Sequence, residues 1–167
     1  MKIFLLAPNY CWHTEDLLKL TKYSKRLNYI FVADTPIFLS RRIYEKYFKS
    51  LNVSYEFWQR LWRIIFCIPW GFFLKKKLSG QRLVHCHGLF ALVIAHVAGI
   101  SNTRIIFTPQ GSDILVLPDK NFLVRKFLSY KLEKISFITA DSNLLLKKAL
   151  LLCPKLKEDK LKIIQNG

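Results

Sequence analysis

The chain reads as an α/β protein, a parallel sheet with helices on both faces. Short apolar runs suited to strands buried on both sides alternate with segments of helical periodicity. Polar and small residues gather where the apolar runs stop, at the end where ligands bind in such sheets. Half of the 167 residues are apolar (51%), and Gly and Pro number six each, which argues against disorder or low complexity. That length suits one domain, residues 1–167, with a real core.

The first strand is predicted over 3–7, closed by Pro8 and Asn9. A helix follows over about 15–27, where Leu17, Leu18, Leu20 and Tyr23 recur at helical spacing. Thr14 can cap it, with Glu15 and Asp16 in its first turn. A second strand over 29–33 ends at Asp34 and Pro36, completing a right-handed βαβ unit. Residues 37–51 and 55–74 read as helices rich in aromatics and bases, the second bent or broken at Pro69 and Gly71. Strands are then expected over 83–87, 104–108, 137–140 and 161–165. The helices between them fall over 89–98, 122–134 and 143–152. Asn166-Gly167 is a turn signal.

The 27 Lys and Arg outnumber the 11 Asp and Glu, for a net charge of +16. A field of that sign attracts phosphates, on nucleic acid, anionic lipid or a small molecule. No carboxylate occurs between Glu56 and Asp113, so the middle third cannot supply an acidic general base. Cys11, Cys67, Cys86 and Cys153 show no zinc spacing and read as small apolar residues in a reducing compartment. The N-terminal apolar run is too short for a secretory signal, and no run reaches the ~18 residues of a spanning helix.

Three strand ends carry chemistry. His85 and His87 share one face of their strand and Cys86 takes the other. Without acidic partners the two His suit a polar ligand contact better than a metal, and Gly88 lets backbone approach closely. Thr108-Pro109-Gln110-Gly111-Ser112-Asp113 reads equally as a sugar-hydroxyl contact or as a turn with a helix cap. Ser142, in Ala140-Asp141-Ser142, reads as a helix cap. His13 lacks a functional context, and His96 reads as a surface or packing residue. Dinucleotide-loop, P-loop and nucleophile-elbow motifs are absent.

Taken in order, His85-Cys86-His87-Gly88, Thr108 to Asp113, Ala140-Asp141-Ser142-Asn143 and Lys162 to Gly167 resemble family-4 glycosyltransferases. The match is clear over 83–167 and extends to 1–34, but is not visible over 37–80. The resemblance implies a Rossmann-like, acceptor-side N-terminal half of a retaining GT-B enzyme. It implies acceptor or sugar contacts at Asn9, His87, Gly88, Gln110, Gly111, Ser112, Asp113 and Ser142, and a hinge at Asn166 and Gly167. No cofactor is expected in this chain. The nucleotide-sugar donor is expected on a C-terminal domain that the sequence does not contain, or on a partner chain. Transfer in the family is front-face with retained configuration, the leaving diphosphate being stabilised by positive charge. Two departures stand out. Gln110 replaces a frequent His, and the first loop, Asn9-Tyr10-Cys11-Trp12-His13, lacks Gly. Catalytic residues stay unassigned, and the chain alone is expected to be inactive.

Residues 57–77 hold three of the four Trp. Trp58, Trp62 and Trp70 with Lys75, Lys76 and Lys77 are the expected contacts of an interfacial helix, the alternative being a core helix with a basic edge. The expected function is acceptor binding in transfer of a sugar to a polysaccharide or lipid-linked acceptor, in the cytoplasm or peripheral on the inner membrane face. The competing expectation is a non-catalytic membrane-binding or partner-subunit module. Nucleic acid is disfavoured, because no RNA- or DNA-binding motif accompanies the charge.

Overall fold

The computed structural model describes residues 2–7, 28–33, 41–51, 53–80 and 83–164. Among the described residues six strands form one sheet, β1 (Lys2–Ala7), β2 (Asn28–Ala33), β3 (Val84–His87), β4 (Ile105–Thr108), β5 (Phe137–Ala140) and β6 (Leu161–Ile163). They run parallel in the order β2-β1-β3-β4-β5-β6. The fold class is the α/β, Rossmann-like parallel sheet read from the sequence. Strand order reverses between β1 and β3, so the crevice where such sheets bind ligands opens beside the end of β3.

The helices are α1 (Tyr55–Ser79), α2 (Leu89–Val97), α3 (Gly111–Leu115), α4 (Leu117–Lys120), α5 (Phe122–Lys134) and α6 (Asn143–Leu152). Strand alternation sends Phe4, Leu6, Cys86, Phe107 and Ile138 to one face, where they share a core with apolar residues of α1, α2, α5 and α6. The other face carries Leu5, His85, His87, Thr108 and Thr139. The helix expected over 15–27 lies outside the described residues, as do Asn9, His13, Cys11 and the Asn166-Gly167 hinge.

Two expectations for 37–80 are corrected. Of the bend or break read at Pro69 and Gly71, the break is excluded, because α1 is one continuous helix through both. Pro69 is exposed, so the carbonyl that loses its helix partner, that of exposed Ile65, lies on the solvent side. Gly71 is set by packing: a Cβ there would fall 2.7 Å from Cβ of Val97 and 3.1 Å from the Ile94 carbonyl, both on the α2 side. It is the point of close approach between α1 and α2.

The second correction concerns the tryptophans. Trp58 (5% exposed) and Trp62 (3%) are buried, and Trp70 is half-buried against the core. Residues 41–51 are helical, passing through a π turn (Tyr44–Phe48) and a 3-10 turn (Lys49–Leu51). Phe48 of this segment stacks on Trp58 at 4.2 Å, and Trp62 stacks on Phe66 at 3.8 Å. Aromatic surface that could have lain at a headgroup level is used within the protein.

Gly71→Ala is expected to lower urea-unfolding stability by about 1–2 kcal/mol, because overpacking outweighs the alanine's better helix propensity. Gly80→Ala, where a Cβ meets nothing within 4 Å, should stay within about 0.5 kcal/mol of the native chain. Equal stability of both variants would contradict the close approach.

Candidate functional site

The chain leaves β3 at His87 and enters α2 through Gly88, whose φ of 91° and ψ of 164° belong to a region open only to glycine. Its amide donates to the Thr108 carbonyl at 2.9 Å, tying this turn to the end of β4. A Cβ on Gly88 would lie 3.4 Å from Oδ2 of Asp113 and 3.6 Å from the side-chain amide carbon of Gln110. The two motifs, separated in sequence by the whole of α2 and β4, thus meet at one point.

Asp113 closes that junction. It sits at the third position of α3, and its Oδ2 accepts from the Gln110 amide at 3.0 Å and from the Leu89 amide at 2.9 Å. One oxygen therefore caps the first turns of two helices, α2 and α3. Asp113 is 6% exposed. Burial raises its pKa, while the two amides and the charge of Arg63 pull it back. Arg63 comes from α1, with its guanidinium carbon 5.9 Å from the Phe90 ring centroid. Sequence reading missed Arg63, which lies fifty residues from Asp113 and belongs to no motif.

Behind this junction runs a polar row across the sheet. Nε2 of His85 lies 2.7 Å from Oγ1 of Thr108, which in turn bonds the Thr139 hydroxyl. His85, His87 and Thr139 are buried, and the two imidazole centroids are 6.2 Å apart. Burial first, and the neighbouring His87 second, hold the His85 pKa down to about 4. His85 is therefore neutral at physiological pH and suited to neutral hydrogen bonding. Thr139 was not singled out from sequence. The register that sets it beside Thr108 continues the pairing of Phe107 with Ile138.

The structure thus joins Gly88, Gln110 and Asp113, while His87 is buried beside Gly88 on the sheet face of His85 and Thr108. Gly111 and Ser112 are exposed on the first turn of α3. Ser142 occupies the cap position of α6, as expected, but its side chain makes no cap hydrogen bond. Lys75, Lys76 and Lys77 are exposed at the far end of α1. His96 packs its ring 5.7 Å from that of Phe127, matching the packing role read for it. Among the described residues, no cluster of His, Cys, Asp or Glu could hold a metal ion, and Cys67, Cys86 and Cys153 are buried free thiols.

The arrangement favours binding over proton transfer. The Asp113 oxygen that faces Gly88 is held by two backbone amides, His85 is kept neutral, and Gln110 does not titrate. Arg63 and the amino end of α2 add positive potential, which suits an anionic or hydroxyl-rich ligand. No protein-family model and no curated protein matches the chain.

The His85 environment predicts a pH dependence. Its pKa falls from 6.5 unfolded to about 4 folded, so the unfolded chain takes up a proton that the folded chain refuses. Its stabilising effect is complete above pH 6.5 and is lost as pH falls toward 4, by on the order of 3 kcal/mol. Urea titrations across this range should show a shallower slope for His85→Gln. Parallel slopes for native and variant would contradict the buried neutral imidazole.

Proposed function

We propose that this chain is the acceptor-binding domain of a glycosyltransferase of the GT-B type, moving a sugar from a nucleotide sugar to a polysaccharide or lipid-linked acceptor. One observation carries the reading. Gly88 and the Gln110 to Asp113 turn, which belong to separate motifs, converge at the carboxyl ends of adjacent parallel strands. The sequence resemblance had assigned both to the same acceptor contact.

In this reading buried Gly88 lets the two turns meet with no side chain between them, Asp113 fixes both turns, and Gln110 offers its side-chain NH2 to an acceptor hydroxyl. Arg63 supplies charge for an acceptor phosphate. Gln110 carries no proton near neutral pH, so the domain contributes binding and orientation. The donor nucleotide sugar is held by a second domain or partner chain, and turnover needs that component.

The test is a titration of the 15N-labelled chain, followed by NMR, with a short-chain prenyl phosphate and with neutral oligosaccharides. Shifts should concentrate at the amides of Gly88, Gln110, Gly111 and Ser112, with a Kd near millimolar, or about −4 kcal/mol. They should be lost in Arg63→Gln for the phosphate alone. Shifts confined to other parts of the chain, or none at ~10 mM ligand, would overturn the acceptor-site reading.

A further inference from the structure

The face of α1 that the core does not use is apolar. Phe57, Leu61, Ile64, Ile68 and Phe72 follow one another at intervals of three or four residues, forming one stripe along the helix. Phe57, Ile64, Ile68 and Phe72 are 61, 60, 52 and 63% exposed. Ile65 broadens the stripe and is exposed as well. An apolar face of this length on a protein surface marks a site of contact.

Its surroundings point to the occupant. Exposed Arg60 flanks the stripe near its start, and exposed Lys75, Lys76 and Lys77 close its end. No acidic residue occurs between Glu56 and Asp113. A second copy of the chain would bring the same cations and another +16 against this face. An anionic surface complements it, and a bilayer offers hydrocarbon directly beneath that charge. No helix among the described residues is long and apolar enough to cross a membrane, which leaves a helix lying along the surface.

We infer that α1 docks this chain on an anionic phospholipid bilayer, with Phe57, Leu61, Ile64, Ile68 and Phe72 inserted and Arg60 and Lys75–Lys77 at the headgroups. The contacts differ from those expected at Trp58 and Trp62, which are buried. On the helical wheel Arg63 lies nearly opposite the stripe and reaches toward Phe90. The inference stands apart from the sugar-transfer reading, because it rests on the outer face of α1 and not on the cluster.

The experiment is co-sedimentation with vesicles of phosphatidylcholine alone and of phosphatidylcholine mixed with phosphatidylglycerol. The native chain should bind the mixed vesicles and leave the neutral ones in the supernatant. Binding should weaken when salt rises from about 0.15 M to about 1 M, where the screening length falls from about 8 Å to about 3 Å. Ile64→Ser/Ile68→Ser/Phe72→Ser should lower partitioning at least about tenfold with an unchanged circular-dichroism spectrum. Lys75→Glu/Lys76→Glu/Lys77→Glu should remove the preference for anionic lipid. Should the serine variant misfold, Phe72→Trp takes its place: its added emission should shift blue and be quenched by acyl-brominated lipid. Failure of the native chain to bind mixed vesicles would overturn the inference. So would full binding by a folded serine variant, unquenched Phe72→Trp emission, or a stripe-dependent dimer that ignores vesicles.

Discussion

A single carboxylate oxygen holds the strand-end region together. Oδ2 of Asp113 accepts from Leu89 at the start of α2 and from Gln110 before α3, and both helices begin where they do because those amides have this acceptor. Burying a carboxylate is unfavourable unless it is well bonded. Here two backbone hydrogen bonds and the nearby Arg63 offset part of the desolvation that raises its pKa. Gly88 follows from the same contact. Its backbone angles exclude other residues, and the bonded oxygen lies against the space a side chain would fill.

The sheet gives this junction two different backings. One face is hydrophobic and holds Phe4, Leu6, Cys86 and Phe107 against four helices. Burial there pushes the Cys86 thiol well above its ordinary pKa, with Lys131 opposing the shift. Lys131 itself is buried and donates to Oδ1 of Asn102 at 2.8 Å. The other face carries the row of His85, Thr108 and Thr139, whose hydrogen bonds satisfy side chains that would be costly to bury alone. Polar groups are thus satisfied before they reach the cluster, and Gln110 itself takes part in the capping box at the start of α3.

Much of the fold was legible because strand signals are local. The apolar runs ending at Ala7, Ala33, His87, Thr108 and Ala140 each became a strand of the parallel sheet. Helices α2, α5 and α6 likewise followed the periodicity, but not the caps: Ser142 makes no cap hydrogen bond, and Asn121, which accepts from Leu123 and Val124 at the start of α5, was not read as a cap. What failed depended on distant partners. Pro69 and Gly71 read as a bend or a break, yet α1 continues as one helix because Pro69 faces solvent and Gly71 fits against Val97. Trp58 and Trp62 read as interfacial, yet Phe48 and Phe66 pack on them. No helix was read over the two short helices α3 and α4, since neither is long enough to show a period. Gln110 to Asp113 could be read as ligand contact or helix cap. The structure shows the capping bond in Asp113, a role that needed Leu89 to be visible.

The measurement closest to this core is native-state hydrogen exchange at the Leu89 and Gln110 amides, in the native chain and in Asp113→Ala. Both amides should exchange only through large-scale opening in the native chain and lose that protection together in the variant. Fast exchange of either amide in the native chain, or protection that survives in Asp113→Ala, would mean that the carboxylate does not join the two turns.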